Sequence, residues 1–155
     1  MSSDDGLELT CPCGKCTVKT NAAPVGAGHC HCNACRRLIQ GAFFSGVCYA
    51  GGSFEVVKGD LASWKRPDMQ MTVHACNDCK CMLYHTEIHN MDIVAHPEIV
   101  RCLGEVPESM KASFHSWYSE RVIDVSDDLP KFSDSPDDFG GSGKMLNSDG
   151  SPIEA

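Results

Sequence analysis

No run of apolar residues in this sequence approaches the roughly 18 to 20 that a membrane-spanning helix needs. Positive charge is also short. The formal net charge is -8, so no overall positive field exists to hold a nucleic acid or an anionic membrane, and neither is expected as a partner. Residues Met1 to Asp5 show no basic region leading into an apolar one, so no export signal is visible and a cytoplasmic protein is expected. Finally, the cysteines cannot all pair. There are eleven of them, an odd number, and a reducing compartment keeps thiols free for metal rather than joining them as disulfides.

What is present in abundance is cysteine in clusters. Cys30-His31-Cys32-Asn33-Ala34-Cys35 places three thiols in six residues, a density that points to zinc, because a C-x-C-x-x-C run can aim three sulfurs at one point. Cys11-Pro12-Cys13-Gly14-Lys15-Cys16 repeats that spacing, and Cys76-Asn77-Asp78-Cys79-Lys80-Cys81 carries a C-x-x-C knuckle. A closed site takes two pairs of thiolates, so an N-terminal pair joined to Cys76 and Cys79 would staple the start of the chain to its middle. Cys30, Cys32 and Cys35 would then hold a second zinc, with Cys16, Cys81 or His31 as candidates for its fourth position. No ferredoxin-type spacing is present, which favours zinc over an iron–sulfur cluster. Cys48 and Cys102 stand alone and read as small buried hydrophobes. His74, His85, His89, His96 and His115 read as surface or hydrogen-bonded core groups. Arg36 and Arg37 follow the triad and are either a carboxylate-holding pair or a solvated surface pair.

The rest of the chain reads as short strands separated by turn residues. Thr17 to Thr20, Phe43 to Tyr49, Phe54 to Val57, the alternating Met69, Met71 and Val73, then Leu83 to Ile88, Met91 to Val94, Val100 to Leu103 and Ala112 to Tyr118 are the candidates, with hairpins expected after Ala42. Arg36 to Gln40 suits one or two helical turns ended by Gly41. An all-β sandwich or barrel is expected. Residues 127–155 carry seven acids and two lysines, a net of -5 out of the total, and little to bury. The predicted organisation is a flexible N-terminus over 1–6, one zinc domain over 7–132 and a mobile acidic tail over 133–155.

In order, Cys11-Pro12-Cys13-Gly14, then Cys30 to Arg37 with Gly41-Ala42, then Cys76-Asn77-Asp78-Cys79 resemble the glutathione-dependent formaldehyde-activating enzyme family, which also contains centromere protein V. The likeness extends to His115-Ser116-Trp117 and the close Asp127-Asp128-Leu129-Pro130-Lys131-Phe132. The resemblance implies an Mss4-like fold of packed antiparallel sheets stapled by zinc, with a structural zinc on Cys11, Cys13, Cys76 and Cys79 and a catalytic zinc on Cys30, Cys32 and Cys35. It also implies a carbon–sulfur lyase of the type that condenses formaldehyde with glutathione to S-hydroxymethylglutathione, with a small-molecule thiol and an electrophile as partners; Arg36 and Arg37, from their place directly after the triad, are then candidate contacts for a glutathione carboxylate. Two departures stand out: Lys80 where the family usually has Gly, and the extra thiols Cys16 and Cys81, either of which could close the second site. The rival readings are a non-catalytic zinc-stapled binding module and a thiol redox or metal-buffering protein.

Overall fold

The structure is a computed structural model that describes residues 6–153; Met1 to Asp5, most of the segment expected to be flexible, and the last two residues lie outside the described residues. Its strands are β1 (Leu7–Thr10), β2 (Thr17–Thr20), β3 (Gly26–Cys30), β4 (Phe44–Ala50), β5 (Glu55–Lys58), β6 (Leu61–Lys65), β7 (Thr72–Cys76), β8 (Met82–Thr86), β9 (Met91–Ala95), β10 (His115–Ser116), β11 (Lys131–Phe132) and β12 (Met145–Leu146). Two α-helices accompany them, α1 (Asn33–Ile39) and α2 (His96–Leu103). The protein is mainly β, as the turn-rich sequence suggests. No helix among the described residues is long and apolar enough to cross a membrane. The residues group into two compact units, one formed by 6–26 with 46–111 and the other by 27–45 with 112–153.

The first unit is built on alternation. Leu7 and Leu9 point inward and Glu8 outward, Val18 is sealed in β2, and β1, β2 and β5 pair antiparallel in that order. A second antiparallel array runs β4, β9, β8, β7, β6. Tyr49, Leu83, Val94 and Ile99 are fully enclosed in this unit, each worth about 1.5–3 kcal/mol of apolar burial. Two expectations are corrected here. Val100 to Leu103 is not a strand but the end of α2, where Pro97 occupies the first turn and Gly104 closes the helix in the left-handed conformation, the placement each residue favours. The hairpin expected between Phe43–Tyr49 and Phe54–Val57 does not form: β4 pairs with β9 and β5 with β2.

The second unit has a different interior. β3 pairs parallel with β10, with His29 opposite His115 and Cys30 opposite Ser116, and β10 pairs parallel with β11. These parallel contacts depart from the antiparallel expectation. Parallel neighbours need long crossovers, and β10 comes about 85 residues after β3 in the chain. Gly28 is required here, because a Cβ would come within 2.8 Å of the Phe114 ring. His31, His115 and Tyr118 are fully buried and Lys131 nearly so. The acidic tail, expected to be mobile, takes a defined course: β12 pairs with β11, Ser133 N donates to Lys144 O at 2.8 Å, and the Tyr118 hydroxyl donates to Ser148 O at 2.5 Å.

Candidate metal centres

The first unit brings Cys11, Cys13, Cys76 and Cys79 together, with all four Sγ atoms within 4.8 Å of one another. Two turns build the group. Between β1 and β2, Cys11 N donates to Cys16 O and Gly14 N to Cys11 O, both at 2.9 Å, and after β7 Lys80 N donates to Cys76 O at 2.9 Å. Gly59 lies against the first turn with φ 74°, where a Cβ would sit 2.1 Å from Lys15 O. Lys80 takes φ 62°, a conformation that costs a side-chain-bearing residue about 1–2 kcal/mol and that glycine adopts freely.

The donor set fits a soft divalent ion. A tetrahedron with thiolate arms of about 2.3 Å has edges of about 3.8 Å, and the Cys13–Cys76 Sγ separation is 3.7 Å, that of Cys11–Cys13 3.3 Å. Backbone N–H groups already point at the sulfurs, Cys16 N to Cys11 Sγ at 3.2 Å and Asp78 N to Cys76 Sγ at 3.3 Å. Burial opposes ionisation of Cys11, but the Cys16 N–H and the neighbouring Cys13 and Cys76 thiols bring it down to about 6. The Lys15 N–H favours the Cys13 anion, yet the Cys11 thiol and its neighbours push Cys13 up to about 12. One sulfur thus ionises at its neighbour's expense, and a cation is what allows all four to be thiolates at once.

The second unit brings Cys30, Cys32 and Cys35 together, again with Sγ atoms within 4.8 Å. Here a helix does the work. Cys32 is the N-cap of α1, and its Sγ accepts the Cys35 N–H at 3.3 Å, so Cys35, one turn on, returns beneath its predecessors. The helix therefore begins at Asn33, three residues before the expected start, and Gln40 rather than Gly41 takes the left-handed cap. Hydrogen bonds from the Cys30 and Cys35 thiols hold Cys32 down to about 3. The same contacts push the donors up: Cys30 to about 11 through its bond to Cys32, and Cys35 far above its ordinary value through Cys30, Cys32 and burial. Among the described residues no fourth His, Cys, Asp or Glu joins this group.

Cys16, Cys81 and His31 lie in neither group. Cys16 is fully buried and burial raises its pKa; Cys81 is pushed up to about 11 by burial and by Glu98, whose carboxylate lies 4.0 Å from its sulfur. Cys48 and Cys102 are half-buried. Arg36 donates through Nε to His31 O at 3.0 Å, and Arg37 lies exposed on α1.

Sequence reading missed the surroundings of His31. Its Nε2 lies 2.8 Å from His115 Nδ1, and His115 Nε2 lies 2.9 Å from Asp127 Oδ2. Lys131 Nζ donates to Asp127 Oδ1 at 2.5 Å. Burial opposes charge on Asp127, but its bonds to Lys131 and His115 hold it well below the usual carboxylate range. Burial, then repulsion from His115, brings His31 down to about 4, so its ring is neutral. The four-residue spacing from Asp127 to Lys131 is the one local signal; His115 carries none beyond its place in the family-like segment.

The class these features define is a mainly β, thiol-rich protein with one four-thiol and one three-thiol group, each able to hold a metal ion. The family model of the glutathione-dependent formaldehyde-activating enzymes matches residues 7–120, most of the chain, and the protein belongs to that family. No curated protein matches the chain. A crystal structure of a Rhodobacter sphaeroides protein aligns with it at 24% identity and a TM-score of 0.44, over 65% of this chain and 98% of that one.

Proposed function

We propose that the protein is a zinc-dependent carbon–sulfur lyase that joins a small thiol, glutathione in the first instance, to formaldehyde or a similar small electrophile and cleaves the adduct in reverse. One observation carries this reading: the three-thiol group has no fourth protein donor among the described residues, whereas the other group is complete. Structural zinc sites close all four positions with protein, and catalytic ones commonly keep one for an exchangeable ligand.

Cys30, Cys32 and Cys35 would hold the zinc, which when bound would supply a Lewis-acid position favouring the thiolate form of an incoming thiol. The chain contributes three sulfurs and their negative charge, which keeps a thiolate beside them electron-rich and reactive. Cys32 is the sulfur best prepared to be an anion, with the Cys35 N–H directed at it. Arg36 and Arg37 put positive charge on α1, complementary to the carboxylates of a tripeptide such as glutathione. The zinc on Cys11, Cys13, Cys76 and Cys79 would be structural, and its binding free energy is then folding free energy.

Two measurements on protein purified without chelator test the reading: zinc per chain, and the rate at which S-hydroxymethylglutathione forms from glutathione and formaldehyde, followed by NMR. Two zincs and a rate above the spontaneous one are expected, with Cys32→Ser retaining about one zinc and no catalysed rate. A single zinc that Cys32→Ser leaves in place, with no rate above background, would indicate a zinc-stapled module and sink the lyase.

A further inference from the structure

The hydrogen bonds behind the three-thiol group have a direction, and it can be assigned from one end. Lys131 gives its protons to Asp127 Oδ1, to the Asp127 carbonyl at 3.0 Å and to Leu129 O at 2.8 Å. The Asp127 carboxylate only accepts, so the 2.9 Å contact must be a donation from His115 Nε2–H. A proton on His31 Nδ1 would be buried with no acceptor among the described residues, so the 2.8 Å contact is assigned as a donation from His31 Nε2–H to the Nδ1 lone pair of His115. His31 is therefore the Nε2–H tautomer, with a lone pair on a buried Nδ1 that meets no hydrogen-bond donor among the described residues.

His31 lies between two of the three clustered cysteines and is fixed at every polar group except that lone pair. Its N–H donates to Ser116 O at 3.0 Å, its carbonyl accepts from Arg36 Nε at 3.0 Å, and its ring stacks on Phe43 with centroids 4.8 Å apart. Tyr118 closes the edge of the same ring at 5.0 Å. A residue held so firmly sets the spacing of its two neighbours, Cys30 and Cys32.

We propose that Asp127 and His115 are positioning residues for the three-thiol group: acting in series, they fix the tautomer and orientation of His31 and thereby hold Cys30 and Cys32 at the separation a metal ion requires. The inference rests on the reading of that group as a metal site, but not on the reaction carried out there. Such outer partners typically contribute 10–100-fold to metal affinity. Asp127→Asn keeps the shape and can turn its amide N–H toward His115 Nε2, which reverses both tautomers.

The test is cobalt(II) titration of the full chain, read by the thiolate-to-cobalt absorption, with 15N NMR of the histidine rings alongside. In the unaltered protein, both His31 and His115 should carry the proton on Nε2; a proton on Nδ1 of His31 overturns the proposal without any variant. Asp127→Asn should bind the second cobalt about 10–100-fold more weakly and move the His31 proton, while the four-thiol group takes its cobalt as before. Tyr118→Phe, which removes the bonds of a buried hydroxyl in the same unit to Ser148 O and Val125 N, should lower stability and leave the second cobalt affinity unchanged. Equal weakening by both variants, or a second cobalt that Asp127→Asn binds no more weakly, overturns it. A protein without lyase activity whose Asp127→Asn variant still loses affinity for the second cobalt would support the positioning role while removing the proposed function.

Discussion

The two C-x-C-x-x-C runs have the same spacing and opposite outcomes. In the first, Cys11 and Cys13 face Cys76 and Cys79 while the third cysteine, Cys16, turns away into the core and is fully buried. In the second, the third cysteine, Cys35, turns back to join Cys30 and Cys32. The difference lies in the backbone beyond the middle thiol. After Cys13 the chain makes a hairpin turn, with Cys11 N bonded to Cys16 O, and Cys16 lies fully buried at the residue before β2. After Cys32 it enters α1, whose period returns residue i+3 to the same side. Spacing therefore specifies that thiols can meet, and the local backbone decides which of them do.

If this contrast between a completed staple and an incomplete, exchangeable site is sound, the largest effect belongs to Cys76→Ser. A structural zinc site contributes on the order of 10 kcal/mol, comparable with the whole stability of a domain. The variant should lose one zinc and its cooperative thermal transition by circular dichroism; a normal melting curve would erase the distinction between the groups. Cys32→Ser comes next. It should lose the other zinc and the catalysed rate, yet melt within about 5 °C of the parent, because serine is itself a favoured N-cap for α1.

A smaller effect separates the interiors of the two units. The folded-state pKa of Asp127 lies below its ordinary value of 3.8, so its charge contributes stability above that pH, and the contribution is lost as pH falls below it. Urea denaturation from pH 6 down to pH 2.5 should show Asp127→Asn about 1–2 kcal/mol less stable at the upper end, after allowance for its partial exposure, with the gap closing toward the lower. A gap independent of pH would assign the loss to packing instead. The smallest effect is expected from Lys15→Ala: the 2.6 Å pair of Lys15 with Asp78 joins the two turns of the four-thiol group but is exposed on both sides. No change in melting temperature or zinc content should be detectable, and a clear drop would mean that the staple depends on that surface pair.

Much of this architecture is legible where local chemistry decides it. The strands at Thr17–Thr20 and Met91–Val94, the mainly β class and the three thiol clusters follow from alternation, turn residues and spacing. Val100–Leu103 looks like a strand because four apolar-rich residues are too few to reveal a period, and Pro97 reads equally as a divider or as the start of a helix. The polar interior of the second unit is hidden for a different reason. His31, His115 and Asp127 meet only through parallel pairings across long crossovers, and no local pattern announces such partners.

That discontinuity also orders events in time. Cys79 completes the four-thiol set before β10 has been made, so the first unit's site can close early. The strand that braces Cys30, His115–Ser116, is synthesised about 85 residues after Cys30 itself. At roughly 5–20 residues per second, the three thiols leave the ribosome several seconds before their support exists. Between the synthesis of Cys79 and that of His115, the four-thiol group has all its donors while the three-thiol group still lacks its brace.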